Sequence, residues 1–282
     1  MDKLLRHIAA CNTARLPGAR LRLCIGHETV GYVAADLVPA LLVFPAMRAE
    51  GDAIRLTQPA ALPGIIRALA EAGHIRWRNE AFDVRADPDG PALAEVDRGA
   101  LPAFGIMSLG VHVNGLVRQG DDLGIWVAVR SASKHLDPGK LDHLVAGGVP
   151  AGLTPAETLI KEAAEEADIP AAIAARAQPV ARIAYAADRP EGLRRDLLIC
   201  YDLFLPAGLM PRPADGEVAR FELWPASRVL AAMCDGDAFK FNVTLVLIDL
   251  FLRQGRIAGA DAARLRAALA HPAAGAPGHP LG

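Results

Sequence analysis

Apolar positions in the first third of the chain change period several times. Leu4, Ile8 and Cys11 recur at helical spacing with Leu5 and Ala9 beside them, so residues 1–13 predict an amphipathic helix that Pro17-Gly18 ends. Two short apolar runs, at 21–25 and 30–33, flank Gly26-His27-Glu28 and predict a hairpin. The apolar segment 38–44 fits a helix or a strand. Ile65, Ile66, Leu69 and Ala70 predict a helix over 62–72, between Pro63 near its start and Gly73 past its end. Residues 75–77 and 82–84 have the composition of strands. Residues 85–100 are polar and broken by Pro88, Gly90 and Pro91. Together these elements predict a small α+β domain over residues 1–104.

The rest of the chain alternates more regularly. Strands are predicted at 111–117 and 125–129, joined by a polar turn at 119–124. A further strand is expected over 141–146, and others at 180–185, 197–205 and 221–224. The polar stretch 189–196, RPEGLRRD, is expected to be the loop between two of them. Helices are expected at 225–233, 242–253 and 258–270, the middle one strongly apolar. The Pro/Gly/Ala-rich tail after His271 predicts disorder. Strands flanking one loop-helix element, with helices on either side, predict an α/β/α layered domain with a mixed sheet over residues 105–257. A C-terminal helix and flexible tail then occupy 258–282.

The loop-helix element is residues 147–169, GGVPAGLTPAETLIKEAAEEADI. Gly147, Gly148 and Gly152 allow a tight backbone path into the helix. Thr154-Pro155-Ala156-Glu157 is a capping box that fixes the helix start at 154 or 155. Glu157 and Lys161 stand in the favourable i,i+4 order for an ion pair. Asp168 tolerates the left-handed turn that ends the helix, and Pro170 forbids its continuation. Glu162, Glu165 and Glu166 are spaced to share one helix face. Three carboxylates so close repel one another, and a hard divalent cation, Mg²⁺ or Mn²⁺, resolves the repulsion. A backbone carbonyl near Gly147 is placed to join its ligands.

Composition narrows the partners. The chain has 282 residues, is 52% hydrophobic and 22% charged, and carries a net charge of −2, which gives no electrostatic argument for nucleic acid or an anionic membrane. Its four cysteines, Cys11, Cys24, Cys200 and Cys234, form no CxxC pair, so neither a zinc site nor a disulfide framework is indicated. A reducing, cytoplasmic compartment follows. No apolar run is long enough for a membrane span. The arginine-containing, acid-poor first residues loosely match an organellar transit peptide, but helical periodicity explains them without that second hypothesis.

The stretch 147–169 resembles the box of the Nudix pyrophosphohydrolases. That box has a glycine, a glutamate and then R-E-U-x-E-E-x-G-U, where U is bulky and apolar. In register on Gly147, its three metal-binding glutamates fall on Glu162, Glu165 and Glu166. Leu153 replaces the first glutamate, Lys161 the arginine, Ala163 the bulky residue and Asp168 the glycine. Lys161 is a point charge where arginine would offer a fork. With these departures, and with the fragments GVHVNG, WVAVRSASKHLDPGKLDHLVAGG and CYDLFLP, the chain is similar to the thiamine pyrophosphokinase-like branch of the family, which carries a small domain before the Nudix domain.

The resemblance implies a mixed-sheet Nudix sandwich and metal-dependent hydrolysis of a small-molecule diphosphate: thiamine diphosphate or its oxy- and oxo-analogues. It implies neither a nucleic-acid nor a membrane partner and leaves a homodimer open. Glu165, Glu166 or the loop acid Glu217 is the candidate base. Arg194 and Arg195, with Arg189 near them, are candidates to grip a diphosphate by forked hydrogen bonds, and His135 and Lys140 to touch it from the N-terminal side of the box. Glu222 reads as a surface acid, His143 as a packed strand residue, and Trp126 and Trp224 as core. Two other classes remain: a pyrophosphokinase that makes thiamine diphosphate, unsupported by any GxxxxGK[ST] loop, and a non-catalytic diphosphate-binding module with a degraded box.

Overall fold

The protein, described by a computed structural model over residues 2–120, 122–133 and 137–270, does not use its first helix where chain order suggests. Helix α1 (Asp2–Cys11) buries Leu4, His7, Ile8 and Cys11. Its apolar stripe packs with the last helices of the chain rather than with the small N-terminal domain. The N-terminal domain proper starts at β1 (Arg20–Ile25). It continues through β2 (Glu28–Ala34), α2 (Val38–Leu41), β3 (Met47–Glu50), β4 (Ala53–Leu56) and α3 (Leu62–Glu71). Its sheet runs β2-β1-β4-β3, with β1 and β4 parallel.

A separate hairpin of β5 (Ala81–Val84) and β6 (Ala94–Asp97) follows, then α4 (Leu101–Phe104). β6 lies inside the polar stretch broken by Pro88, Gly90 and Pro91. Residues 75–77, expected as a strand, are irregular: Trp77 is stacked under the Arg67 guanidinium, 4.5 Å from its ring centre. β3 gave no periodic signal because only Met47 among its residues is buried.

The larger sheet runs β11-β12-β7-β8-β13. Its first strands are β7 (Met107–Gln119) and β8 (Asp122–Arg130), paired antiparallel only near their hairpin turn. Past that point they part. β9 (Leu141–Asp142) pairs with β8 and β10 (Val145–Gly148) with β7, so the single strand expected at 141–146 is two short strands filling the split. Helix α5 (Pro155–Ala167) and the turn-length α6 (Ala171–Ala174) then cover one face.

β11 (Gln178–Arg189) and β12 (Gly192–Phe204) form a long hairpin closed by Pro190 and Glu191. The expected loop 189–196 is therefore mostly strand. Because β12 runs parallel to β7, the sheet is mixed, as expected. β13 (Val218–Pro225), α7 (Ala226–Asp235), α8 (Val243–Arg253) and α9 (Gly259–Ala270) complete the chain. Helices α1, α7, α8 and α9 cover the second face, where Leu116, Ile125, Tyr185 and Leu198 meet Val246, Leu250 and Phe251. The result is an α/β/α sandwich preceded by a small α+β domain. Both chain ends contribute to one outer layer, so α9 is part of that layer. The tail after His271 lies outside the described residues. No described helix is long and apolar enough to cross a membrane.

Candidate metal centre

The start and end of α5 are fixed by its own side chains. The Thr154 hydroxyl accepts from the Glu157 amide at 3.2 Å, and the Glu157 carboxylate accepts from the Thr154 amide at 2.8 Å. At the other end Asp168 takes the left-handed conformation, φ 52°, and its amide donates to the Ala163 carbonyl. The capping role occupies Glu157, so Lys161 pairs elsewhere. Its ammonium sits 2.6 Å from Glu165 and 3.2 Å from Glu162, and the bond to Glu165 raises its pKa. The expected Glu157–Lys161 pair is replaced by contacts with two of the three box carboxylates.

The three glutamates have unlike surroundings. Glu166 is 8% exposed, and its Oε2 accepts from the Ala146 amide at 3.0 Å. Burial pushes its carboxyl up to about 8. Glu162 lies against β10, and burial raises its pKa too. A Cβ on Gly147 would come within 2.5 Å of the Glu162 carboxyl carbon, so only glycine leaves that carboxylate its place. A Cβ on Gly148 would come within 2.6 Å of the Phe82 ring, which makes this glycine one point where the N-terminal domain touches the box. Gly152 needs its φ of 77° and has open space around it. Glu165 is half exposed and turned to Lys161.

The carboxylates that converge on Glu166 come from outside the box. Oxygens of Glu166, Asp215 and Glu217 all lie within 4.8 Å of one another, the one such acidic group among the described residues. Asp215 and Glu217 sit in the loop that enters β13, where the Glu217 amide donates to Asp215 at 2.8 Å and the Glu217 carbonyl accepts from the Ser131 amide at 2.9 Å. The structure thus seats Glu217 beside the box, as its loop position suggested. Asp215, two residues earlier in the same loop, was not singled out. Its signal was the segment Asp215-Gly216-Glu217, an acidic turn before a strand.

Hard oxygen ligands suit a divalent cation. One of them is a buried carboxyl with a single amide donor, which ionises only at a cost unless positive charge joins it. The donor set therefore fits Mg²⁺ or Mn²⁺.

A second ion cluster adjoins the first, and its Arg130 and Asp142 line one small pocket together with Glu166 and Glu217. Arg130 donates to Asp142 at 2.6 Å, and Lys240 adds a contact at 3.3 Å. Burial alone would raise the Asp142 carboxyl, but Lys240 and its other cationic neighbours hold it well below the usual range. His143 is buried with its Nδ1 3.1 Å from Nδ1 of His112, and burial lowers its pKa to about 4. It is packed, as expected. Lys240 carried no motif in the sequence, and His112, Arg130 and Asp142 lie in the fragments GVHVNG and WVAVRSASKHLDPGKLDHLVAGG without having been singled out.

The expected phosphate-gripping residues are not brought to this centre. Arg194 is held by Glu191 at 3.2 Å and Asp196 at 3.7 Å, beside Tyr185 and Phe241 on the opposite face of the sheet from α5. A strand alternates its side chains, so the pair Arg194-Arg195 cannot act as one clamp. The Arg195 guanidinium donates to the Gly105 carbonyl at 3.1 Å and lies over the Tyr32 ring. Lys140 pairs with Asp137 at 3.3 Å and does not line the pocket. His135 lies outside the described residues. Arg189 stacks on Phe241 at 4.1 Å, again on the far face. Glu222 binds Arg220 and the Trp224 indole, and both Trp126 and Trp224 are buried.

Comparison with known proteins divides the chain where the two domains meet. Residues 3–108 match a domain of unknown function (DUF4743), and residues 109–241 match the NUDIX domain. The chain is 41% identical over 198 residues to Nudix hydrolase 20, chloroplastic, of Arabidopsis thaliana, covering 70% of this chain and 53% of that protein. To Nudix hydrolase 24, chloroplastic, of the same plant it is 39% identical over 198 residues, covering 70% and 54%. It thus spans about half the length of these relatives. Among solved structures, DR0079 from Deinococcus radiodurans is 23% identical with a TM-score of 0.45, covering 60% of this chain and 97% of that one.

Proposed function

Residues 109–241 form a Nudix domain, and from that premise we propose that the chain is a hydrolase of a small-molecule diphosphate that works with Mg²⁺ or Mn²⁺. One observation carries the reading: the buried Glu166 carboxyl, which accepts from the Ala146 amide, converges with the acids Asp215 and Glu217. Glu166 and Asp215 are the proposed holders of the ion, with Glu162 of α5 beside them against the strand that supplies Gly147. Bound there, a divalent ion neutralises phosphate charge and lowers the pKa of water.

The remaining work falls to the protein. Glu217 is exposed at the edge of the cluster, where a base can take a proton from the attacking water and pass it to solvent. Lys161 holds Glu165 and Glu162 in place from the helix surface. The capping box sets the height of α5 against β10 and so the distance of Glu166 from the loop acids.

For the substrate, the likeness to the thiamine pyrophosphokinase-like branch supports thiamine diphosphate or its oxidised analogues, and a cytoplasmic setting suits four free cysteines. The test is phosphate release from a panel of thiamine and nucleoside diphosphates with and without Mg²⁺. Metal-dependent release, greatest for the thiamine compounds, is expected. Release of AMP from ATP in the presence of thiamine would point to pyrophosphate transfer instead, and absence of any metal-dependent turnover would overturn the hydrolytic reading.

A further inference from the structure

The loop between α3 and β5 is wound around one buried carboxylate. Asp97 accepts from the Arg78 amide at 2.9 Å, the Glu80 amide at 3.2 Å and the Gly99 amide at 2.8 Å. Asn79 takes the left-handed conformation between the first two, φ 59°. A Cβ on Gly99 would collide with the Arg76 carbonyl, so the loop and the residues after β6 are fixed against one another. On this backbone Arg76, Arg78 and Arg98 are all exposed.

Their charge is not balanced locally. The Glu80 carboxylate takes Arg98 at 2.8 Å, and the Asp97 carboxylate is occupied by amides. Among the described residues, Arg76 and Arg78 have no carboxylate within ion-pair distance. Burial lowers the Arg78 pKa and the Arg76 and Arg98 charges lower it further, against the pull of Asp97. An anion placed among these guanidiniums relieves their repulsion.

The same loop lies against the Nudix box. The Ala151 amide, in the glycine loop of the box, donates to the Ala81 carbonyl at the start of β5 at 2.8 Å. Glu80 precedes Ala81, and Phe82 after it abuts Gly148, next to the Gly147 that gives Glu162 its place. Burial, offset by Lys161, raises the Glu162 carboxyl, and the Glu165 and Glu80 charges add to the rise. Arg98 is bonded to Glu80 through both its amide and its guanidinium. The arginines therefore stand on the Glu162 side of the metal centre.

We propose that Arg78 and Arg98 bind phosphate oxygens of the diphosphate substrate, on the Glu162 side of the ion. One divalent ion does not neutralise a diphosphate, and Lys161 of the box is already held by Glu162 and Glu165. Forked guanidiniums suit phosphate oxygens. The N-terminal domain thus performs the task that Arg194 and Arg195 are too far apart in direction to share. The identity of the anion rests on the hydrolytic reading above, and the test is a binding measurement that does not need turnover.

Methylenediphosphonate, whose P–C–P bridge resists hydrolysis, is titrated calorimetrically into the full chain with saturating Mg²⁺. Wild type is compared with Arg78→Gln, Arg98→Gln, their double variant and, as a control, Arg48→Gln, an exposed arginine on β3. Affinity is expected to fall about tenfold in each single variant and about fiftyfold or more in the double variant, the scale of charge-assisted hydrogen bonds. Arg48→Gln should stay within about twofold of wild type, as a surface arginine with no role does. Mn²⁺ alone should bind the double variant as tightly as wild type or more tightly, since removing positive charge favours a cation. Unchanged phosphonate affinity in the double variant, or no binding to wild type, would overturn the assignment. A parallel loss of Mn²⁺ affinity would overturn it too, because it marks a distorted box. If wild type binds the phosphonate as predicted but turns over no diphosphate, the hydrolytic reading fails and the arginine site stands.

Discussion

Two buried carboxylates line one small pocket and have opposite electrostatics. Asp142 is 7% exposed and Glu166 is 8% exposed. Asp142 has Arg130 and Lys240 within ion-pair distance and is held far below the ordinary carboxylate range. Glu166 has one amide and two neighbouring acids, and burial raises it to about 8. The protein supplies Asp142 with cations from its own side chains, whereas the Glu166 carboxylate receives a backbone amide and converges with two further acids. A carboxylate supplied with its cations is a structural part. One surrounded by further acids is the place we propose for a cation from solution.

The sharpest break between the two sites is expected from neutral amides. Glu166→Gln should lower kcat/KM by about a thousandfold or more, since several kcal/mol of metal-borne charge stabilisation go with the ligand. The fold should survive, because the amide oxygen can still accept from Ala146. Asp142→Asn should do the reverse. It leaves Arg130 and Lys240 buried beside a neutral partner and should cost about 3 kcal/mol of stability, seen as a lower denaturant midpoint. Loss of stability in Glu166→Gln with unchanged turnover would dissolve the distinction.

The next effect is in pH. With EDTA present, the folded protein keeps a proton on Glu166 up to about pH 8, whereas the unfolded chain releases it near 4.5. Between those values the folded state binds the extra proton, so this group's contribution is full below the lower pH and is lost as pH rises through the upper one. Metal-free wild type should therefore lose stability between about pH 4.5 and 8, by at most about 1.4 kcal/mol per unit. Glu166→Gln should show a shallower slope, measured by urea unfolding. Equal slopes would mean that Glu166 is ionised without metal.

The smallest expected effect concerns Glu165. Its carboxylate is half exposed and held by Lys161, so Glu165→Gln should reduce kcat/KM by about tenfold or less, the modest scale of a partly exposed ion pair. A loss as large as that of Glu166→Gln would bring Glu165 into the metal centre.

The strongest local signals in the sequence survive in the structure. The capping box, the left-handed Asp168 and the helix over 154–168 depend on neighbours within a few residues, and short-range physics settles them. Glu217 was also within reach, because an acid in a loop entering a strand is visible locally. What the sequence hid was pairing between distant segments. Asp142, Arg130 and Lys240 meet because β9 fills the split between β7 and β8 and residue 240 returns beside it. Arg194 and Arg195 read as a polar loop because their stretch carries four arginine or proline residues. The strands run through it regardless, since Leu193 and Leu197 bury their side chains and long-range pairing overrides local polarity. The first helix showed its stripe plainly, but nothing in the order of the chain placed that stripe against the last helices.

We propose that Glu166 and Asp215, from two distant segments, hold one cation with Glu217 beside it. Calorimetric titration of Mn²⁺ into the metal-free full chain tests it most directly, comparing wild type with Glu166→Gln and with the double variant Asp215→Asn/Glu217→Gln. Saturable binding to wild type, weakened at least about tenfold by either change, is the predicted result, because each removes charge from the same ion. Absence of binding to wild type, or equal affinity in the loop double variant, would contradict the account.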